Sequence, residues 1–183
     1  MFDDLDEALR RLLIREIPIK NNEVDISFDQ PKSEWSARLN RPTVNLFLHD
    51  VRENTKLRQQ TQGWMTEVSK DGNTVTQRRK PFRVDVHYAI TVWAKEPDDE
   101  HRLLAMIMMT LFRYQEFPED VLPESLRDPL FPIGIRAAQY DTLEKPSDLW
   151  NVLDNQQRPM IRLHKDRAQN FWCLLIFPST LFH

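Results

Sequence analysis

Glycine is scarce in this sequence. The chain has three glycines among 183 residues, whereas average usage of about 7% would give roughly a dozen. Gly63, Gly72 and Gly134 also lie far apart. Phosphate-binding loops of the Walker and Rossmann types need several glycines close together, so the sequence excludes both motifs.

Cysteine is rarer still. The single cysteine, Cys173, excludes an internal disulfide framework and a cysteine-based zinc site, and it fits a reducing compartment. It lies inside an apolar run, which is not the setting of a reactive thiol. The sequence also lacks a Gly-x-Ser-x-Gly nucleophile motif. We therefore predict no catalytic residues and no enzymatic activity.

Long hydrophobic runs and a strong net charge are absent too. No stretch approaches the ~18 apolar residues of a membrane-spanning helix, and the acidic start Met1–Asp6 differs from a signal peptide. The net charge of −3 does not favour nucleic acid as a partner. We expect a protein that is made in the cytosol and stays there unless a larger assembly carries it out.

The most informative stretch is a long strand that runs directly into a helix, between Pro81 and Gln115. Apolar residues alternate along one face of the strand: Phe82, Val84, Val86, Tyr88, Ile90, Val92 and Ala94. Pro97 and the acids after it suit the first turn of a helix. Spacings of three and four residues predict the apolar face of that helix: Leu103, Leu104, Ile107, Met108, Leu111 and Phe112.

Further periodic segments predict a helix at Asp3–Glu16 and strands at Glu23–Phe28 and Thr43–Arg52. In the last of these, alternation places Val44, Leu46 and Leu48 on one face and Asn45, Phe47, His49 and Val51 on the other. Asp71-Gly72 between the alternating segments Trp64–Lys70 and Thr74–Arg79 predicts a hairpin.

Together these elements predict an α+β fold. An N-terminal helix and a central amphipathic helix would pack on a mixed, mostly antiparallel sheet. We expect residues 1–162 to form a single domain and residues 163–183 to form a divergent C-terminal tail, apolar at 171–177. The apolar segment is typical of either a buried strand or a partner-binding tail.

Two histidine–aspartate pairs raise the alternative of a metal-dependent hydrolase. His49 is followed by Asp50, and Asp85 shares a strand face with His87. A metal site needs further ligands at defined spacing, and the sequence offers none that stands out. We therefore predict no metal and no cofactor, and keep the hydrolase as the lesser alternative.

A basic run, Arg78-Arg79-Lys80, is followed closely by Arg83 and lies on the hairpin that contains Trp64. Such a run could hold a nucleic-acid backbone. It could also be a charged strand edge that discourages wrong pairing, or a surface for an acidic protein partner. The negative net charge favours the protein-side interpretations.

Several ordered motifs resemble one family. They are Asp3-Asp4-Leu5-Asp6-Glu7-Ala8-Leu9, Asp25-Ile26-Ser27-Phe28, Arg41–Asn54, Pro81–Tyr88, Thr91–Ala94, Asp99–Leu104 and Asp148-Leu149-Trp150 with Arg158-Pro159. This set, over about residues 3–162, resembles the N-terminal domain of the tail-terminator, or cap, proteins of extracellular contractile injection systems. Those phage-tail-like particles are typified by the antifeeding prophage and the Photorhabdus virulence cassettes.

The resemblance implies a structural function. Such caps form a hexameric ring on the end of the inner tube, stop tube growth and anchor the last layer of the sheath. The implied partners are other copies of this chain and the tube and sheath proteins. The chain would be in the cytosol during assembly and then part of the particle. We predict protein-interface residues in the polar loop from Glu53 and in the hairpin: Glu53, Asn54, Arg58, Trp64, Arg78, Arg79, Lys80 and Arg83.

The C-terminal end departs from the family pattern. After Arg162 the family strand would continue, but Leu163-His164-Lys165-Asp166-Arg167 turns polar. The apolar segment from Phe171 either replaces that strand or contacts a neighbour. A different class, a peptide-binding or chaperone-like adaptor, would use the same open sheet edge but stay monomeric or dimeric.

Overall fold

A mixed sheet forms the centre of the computed structural model. The structure describes residues 2–17, 23–54, 64–68, 75–79, 82–127, 133–138, 146–154, 157–163 and 173–175. The strands are β1 (Asp25–Ser27), β2 (Thr43–Glu53), β3 (Trp64–Val68), β4 (Val75–Arg79), β5 (Phe82–Trp93), β6 (Met160–Leu163) and β7 (Cys173–Leu175). The helices are α1 (Phe2–Glu16), α2 (Ser33–Ser36), α3 (Pro97–Arg113) and α4 (Pro146–Val152), with a 3₁₀ turn at Glu124–Leu126.

The main sheet has the strand order β1-β2-β5-β6, and β7 also pairs with β5. The β1–β2 pair is parallel, and the described pairs β2–β5, β5–β6 and β5–β7 are antiparallel. Strands β3 and β4 pair only with each other within the described residues. The predicted mixed, mostly antiparallel sheet is therefore confirmed.

Helices α1 and α3 cover one face of this sheet, as the sequence predicts. Pro97 begins α3, acids fill its first turn and Arg113 ends it, in keeping with the helix dipole. The two apolar helix faces and the alternating residues of β2 and β5 form one core. Its fully buried members include Leu5, Leu9, Leu12, Val44, Leu46, Tyr88, Ile90, Val92, Ile107 and Leu111.

A polar contact lies within this mostly apolar packing. The Tyr88 hydroxyl donates to Asp6 Oδ1 at 2.6 Å, linking β5 to α1. Burial raises the pKa of the Asp6 carboxyl above its usual value, while the hydrogen bond from Tyr88 opposes that change. The contact fixes where α1 lies along the sheet.

The register of β2 corrects one expectation. A bulge interrupts the β2–β5 pairing, so that Leu48 lies opposite Tyr88 and Asp50 lies opposite His87. Directly paired residues share a sheet face. Val51, predicted on the face opposite Val44, instead lies opposite the core residue Val86. One extra residue moves every later side chain to the other face.

The apolar face of α3 is narrower than predicted. Leu103, Ile107 and Leu111 are buried, whereas Phe112 is 54% exposed. Position 112 follows 111 by about 100° around a helix, which turns Phe112 away from the sheet. The prediction that Phe112 belongs to the core face is wrong.

The opposite face of the sheet is covered at one end by α2. Residues 31–40 contain this short helix, and its Trp35 is buried. The Trp35 ring meets the Trp93 ring edge to face, with centroids 5.4 Å apart. Asp154, just after α4, accepts hydrogen bonds from the Ser33 backbone N–H and hydroxyl. These contacts place α2 and the end of α4 together.

Candidate assembly surfaces

The β3–β4 ribbon brings an aromatic and a basic residue to the same end. Trp64 pairs with Arg79 and Met65 with Arg78, and the pairing continues to Val68 opposite Val75. This pairing confirms the predicted hairpin, although its Asp71-Gly72 turn lies outside the described residues. A two-stranded ribbon is marginally stable alone in water. The described part of the ribbon shares no strand pairing with the main sheet, and its role as a contact element stays a prediction.

Two other predicted interface residues lie on the strands that precede and follow this ribbon in the chain. Glu53 is exposed at the end of β2, and Arg83 lies in β5, where it pairs with Leu174 of β7. Arg58 and Lys80 lie outside the described residues. The role of the whole set as an interface stays a prediction.

Asn54 differs from the rest of the set because it faces inward. It is 4% exposed, and its Nδ2 lies 3.0 and 2.9 Å from the two carboxylate oxygens of Asp85. The register places Asp85 opposite Arg52. Asn54 thus ties the exit of β2 to β5, and fixes the position at which the chain leaves the sheet toward the ribbon.

The histidine–aspartate residues come together only in pairs. The His49 and His87 rings lie 6.2 Å apart by centroid, with His49 at the bulge and Asp50 opposite His87. Across the described residues, no three His, Cys, Asp or Glu side chains form a group that could hold a metal ion. The convergence that a metal-dependent hydrolase needs is not seen there.

Sequence reasoning missed a four-residue cluster around Trp93, at the end of β5. The Arg158 guanidinium lies over the Trp93 ring, 4.2 Å from its centroid, and forms an ion pair with Glu100. Trp35 packs against the same Trp93 ring. Glu100 is 7% exposed although it is charged. Glu100 lies one helical turn before the buried Leu103, but its partner Arg158 is 58 residues away in the sequence.

A second polar network joins the C-terminal ends of α1 and α3. Arg15 donates to Asp120 at 2.6 Å and to the Tyr114 hydroxyl at 3.1 Å. The Tyr114 hydroxyl donates to Glu16 at 2.7 Å, which is the main cause of a lowered pKa of Glu16. The hydrogen bond from Arg15 lowers the pKa of Asp120, and the pKa of Arg15 is raised in return.

These contacts predict acid sensitivity with a defined sign. The pKa of Asp154 is lowered by the Ser33 N–H, as those of Glu16 and Asp120 are lowered by their own partners. A carboxyl whose pKa is lower in the folded state than in the unfolded state stabilises the fold. Its contribution is complete at pH values above the unfolded-state pKa, and it is lost as the pH falls through the folded-state pKa. The ordinary values are 3.8 for Asp and 4.5 for Glu. The midpoint of thermal unfolding should therefore change little from pH 7 to about 5 and fall below about pH 4.

The variant Asp154→Asn measures the contribution of one of these carboxyl groups to stability. Position 154 has a φ of 56°, which asparagine tolerates. The variant should unfold a few degrees lower than the parent at pH 7, and the difference should shrink below about pH 4. Thermal unfolding followed by circular dichroism measures both. A constant difference at every pH would contradict an electrostatic cause.

An exposed apolar stripe runs along the outer side of α3. Ala105 is exposed, and Met109 and Phe112 are 56% and 54% exposed. Spacings of four and three residues place the three on one helix face. The exposed residues Arg102 and Arg113 flank the stripe. On α4, Val152 is 71% exposed.

Each helix in the described part of the chain is too short or too polar to cross a bilayer.

Comparisons with known proteins relate this fold to particle components. The family model of the Pvc16 N-terminal domain matches residues 4–164. The cryo-EM structure of the PVC sheath/tube terminator of an extracellular contractile injection system, in the extended state, is similar with a TM-score of 0.63 and 17% identity. That match covers 100% of this chain and 62% of that chain.

The cryo-EM structure of the anti-feeding prophage cap, a tube-terminating cap, is similar with a TM-score of 0.59 and 16% identity, over 100% of this chain and 61% of that chain. This chain thus spans less than two thirds of the length of either structure. No curated protein sequence matches it. The two likenesses confirm the α+β fold class.

Proposed function

The chain belongs to the Pvc16 N-terminal domain family, and from that premise we propose that it is a structural cap of a phage-tail-like contractile particle. The family resemblance predicted from the sequence motifs is confirmed by the match over residues 4–164. In the proposed role the chain forms a ring on the end of the inner tube and sheath, stops tube growth and anchors the last sheath layer.

One observation carries this proposal: the fold is similar, along the full chain, to both a sheath/tube terminator and a tube-terminating cap. The described residues add physical support. A ring needs a head-to-tail contact between different surfaces of one subunit. The described residues include a ribbon outside the main sheet and an exposed apolar stripe on α3.

The proposed partners are five other copies of the chain, which complete a ring of six, and the tube and sheath proteins of the same particle. We assign the contact residues to the ribbon and its base: Glu53, Arg58, Trp64, Arg78, Arg79, Lys80 and Arg83, with Asn54 holding the base in place. A sheath segment joining a sheet edge as an extra strand would gain affinity from main-chain hydrogen bonds. Neither nucleic acid, cofactor nor catalytic chemistry has a part in this role.

The proposed location follows from the role. The chain is made in the cytosol and becomes part of the particle during assembly. Residues 1–162 would be the cap-like domain, and residues 163–183 would be a tail whose described part, Cys173–Leu175, pairs with Phe82–Val84 of β5.

Two measurements on the purified protein test the proposal. Native mass spectrometry, alone and after mixing with tube ends, should find a species of six copies, and the protein should sediment with tubes assembled from the particle's tube protein. An adaptor that binds peptides would instead remain a monomer or dimer under both conditions. A chain that neither forms a ring nor sediments with tubes would refute the cap role.

A further inference from the structure

We propose that neighbouring copies in the ring meet through two different helices: the stripe on α3 of one copy and the exposed face of α4 of the next. This inference rests on the proposed function, because it names the contact that closes the ring. The α3 stripe consists of Ala105, Met109 and Phe112, between Arg102 and Arg113. The α4 face consists of Asp148, Asn151 and Val152.

The first step is that the α3 stripe is built unlike a solvent-facing helix surface. Met109 and Phe112 expose more than half of their area, and the exposed residues Arg102 and Arg113 lie on either side of them along the helix. Apolar side chains that cluster on a rim of charge mark contact sites. Aromatic side chains and methionine are also the residues that interfaces favour.

The second step is that α4 offers a complementary surface. Val152 is 71% exposed, and Asp148 lies one helical turn before it on the same face. Arg102 on α3 and Asp148 on α4 form no ion pair within the described residues. An apolar centre flanked by positive charge on one helix thus matches an apolar centre flanked by negative charge on the other.

The third step is that the two surfaces lie on opposite faces of the sheet. Helix α3 packs through Ile107 on the face that carries Val92. The end of α4 is tied through Asp154 and Ser33 to α2, whose Trp35 contacts Trp93. Successive strand residues point to opposite faces. Surfaces on two sides of a subunit produce a head-to-tail contact, and such a contact forms a ring when the rotation between copies closes.

A symmetric pairing of two α3 stripes is less favourable. In an antiparallel pair of these helices, Arg113 of one copy would approach Arg102 of the other, and two like charges would meet. The head-to-tail arrangement places Arg102 opposite Asp148 instead. It also gives each subunit two contacts, so that a small patch is reinforced when the ring closes.

A charge-swap series tests the pairing. Arg102→Asp and Asp148→Arg should each weaken self-association about tenfold, measured by sedimentation velocity over a concentration series. The double variant restores opposite charges at every contact and should recover most of the association. Arg38→Asp, at an exposed position of the same charge, is the matched control and should associate like the parent. Circular dichroism verifies that all variants fold.

Disulfide trapping tests the geometry. With Cys173→Ser removing the native thiol, Met109→Cys combined with Val152→Cys in one chain should give a ladder of cross-linked oligomers under mild oxidation. Each single cysteine variant should stay uncross-linked. Dimers from Met109→Cys alone would show a symmetric α3 contact and overturn the proposal.

The outcomes separate this inference from the cap role. If the parent forms rings while the charge variants associate normally and no ladder appears, the α3–α4 contact is wrong and the cap role stands. If the parent forms no ring, alone or on tube ends, the cap role fails and this contact fails with it. If each single charge variant loses self-association and the double variant recovers it, the result supports both the α3–α4 contact and the cap role.

Discussion

Arg158→Ala should lower the free energy of unfolding by about 2 to 3 kcal/mol. The substitution leaves the buried Glu100 carboxylate without its ion-pair partner, and removes the guanidinium that lies over Trp93. Breaking a fully buried ion pair costs about 3 to 5 kcal/mol. The smaller value applies because the Arg158 side chain is 32% exposed, so that solvent screens part of the interaction.

Urea denaturation of three variants measures this effect. Arg38→Ala, at an exposed arginine, is the matched control and should change stability by less than about 0.5 kcal/mol. Glu100→Gln combined with Arg158→Met removes the unpaired charge and retains a side chain that packs on Trp93. This double variant should recover most of the lost stability. If it is as unstable as Arg158→Ala, packing rather than charge burial explains the loss.

Replacing residues 55–81 with an Asn-Gly turn should abolish binding to tubes while leaving the main sheet folded. Glu53 lies opposite Val84 in the β2–β5 pairing, so a short turn can join the two strands directly. The β3–β4 ribbon is lost, but the described core residues are not. Asn54 and its hydrogen bonds to Asp85 also remain.

Co-sedimentation with assembled tubes gives the measurement. The shortened chain should stay in the supernatant at concentrations where the parent pellets with tubes, and both should show the same cooperative unfolding. Trp64→Ala with Arg79→Glu changes the paired residues at the base of the ribbon without shortening the chain, and should weaken binding in the same direction. Unchanged binding by the shortened chain would assign tube contact to another surface.

Local periodicity was sufficient to predict most of the fold. The strand and helix within Pro81–Gln115 and the helix at the N-terminus follow from repeats of 2 and 3.6 residues, and each element appears where it was predicted. The hairpin followed from Asp71-Gly72, whose turn chemistry is local.

Features that depend on distant partners could not be predicted. The bulge at His49 is set by the pairing of β2 with β5, because either register of Val51 is compatible with the local alternation. The contact of Arg158 with Trp93 and Glu100 joins residues far apart in sequence. Asn54 was predicted as an interface residue from its polarity, yet its burial depends on Asp85 across the sheet.

The interface residues are the least predictable part for a physical reason. Their energy arises when other chains cover them, so that neither local propensity nor the packing of one chain selects them. Exposure of Phe112 and Val152 is the signal that the structure adds. Periodicity alone does not show this exposure, because it does not give the width of the buried face of each helix.

The length of the tubes tests the capping role most directly. Electron microscopy of particles from cells with and without this chain would give two length distributions. A cap predicts tubes of one narrow length when the chain is present, and broadly distributed, longer tubes without an end structure when it is missing. Expression of the chain from a plasmid in the deletion cells should restore the narrow distribution of tube lengths. Tubes of the same length, with the same terminal structure, in the absence of the chain would contradict the role.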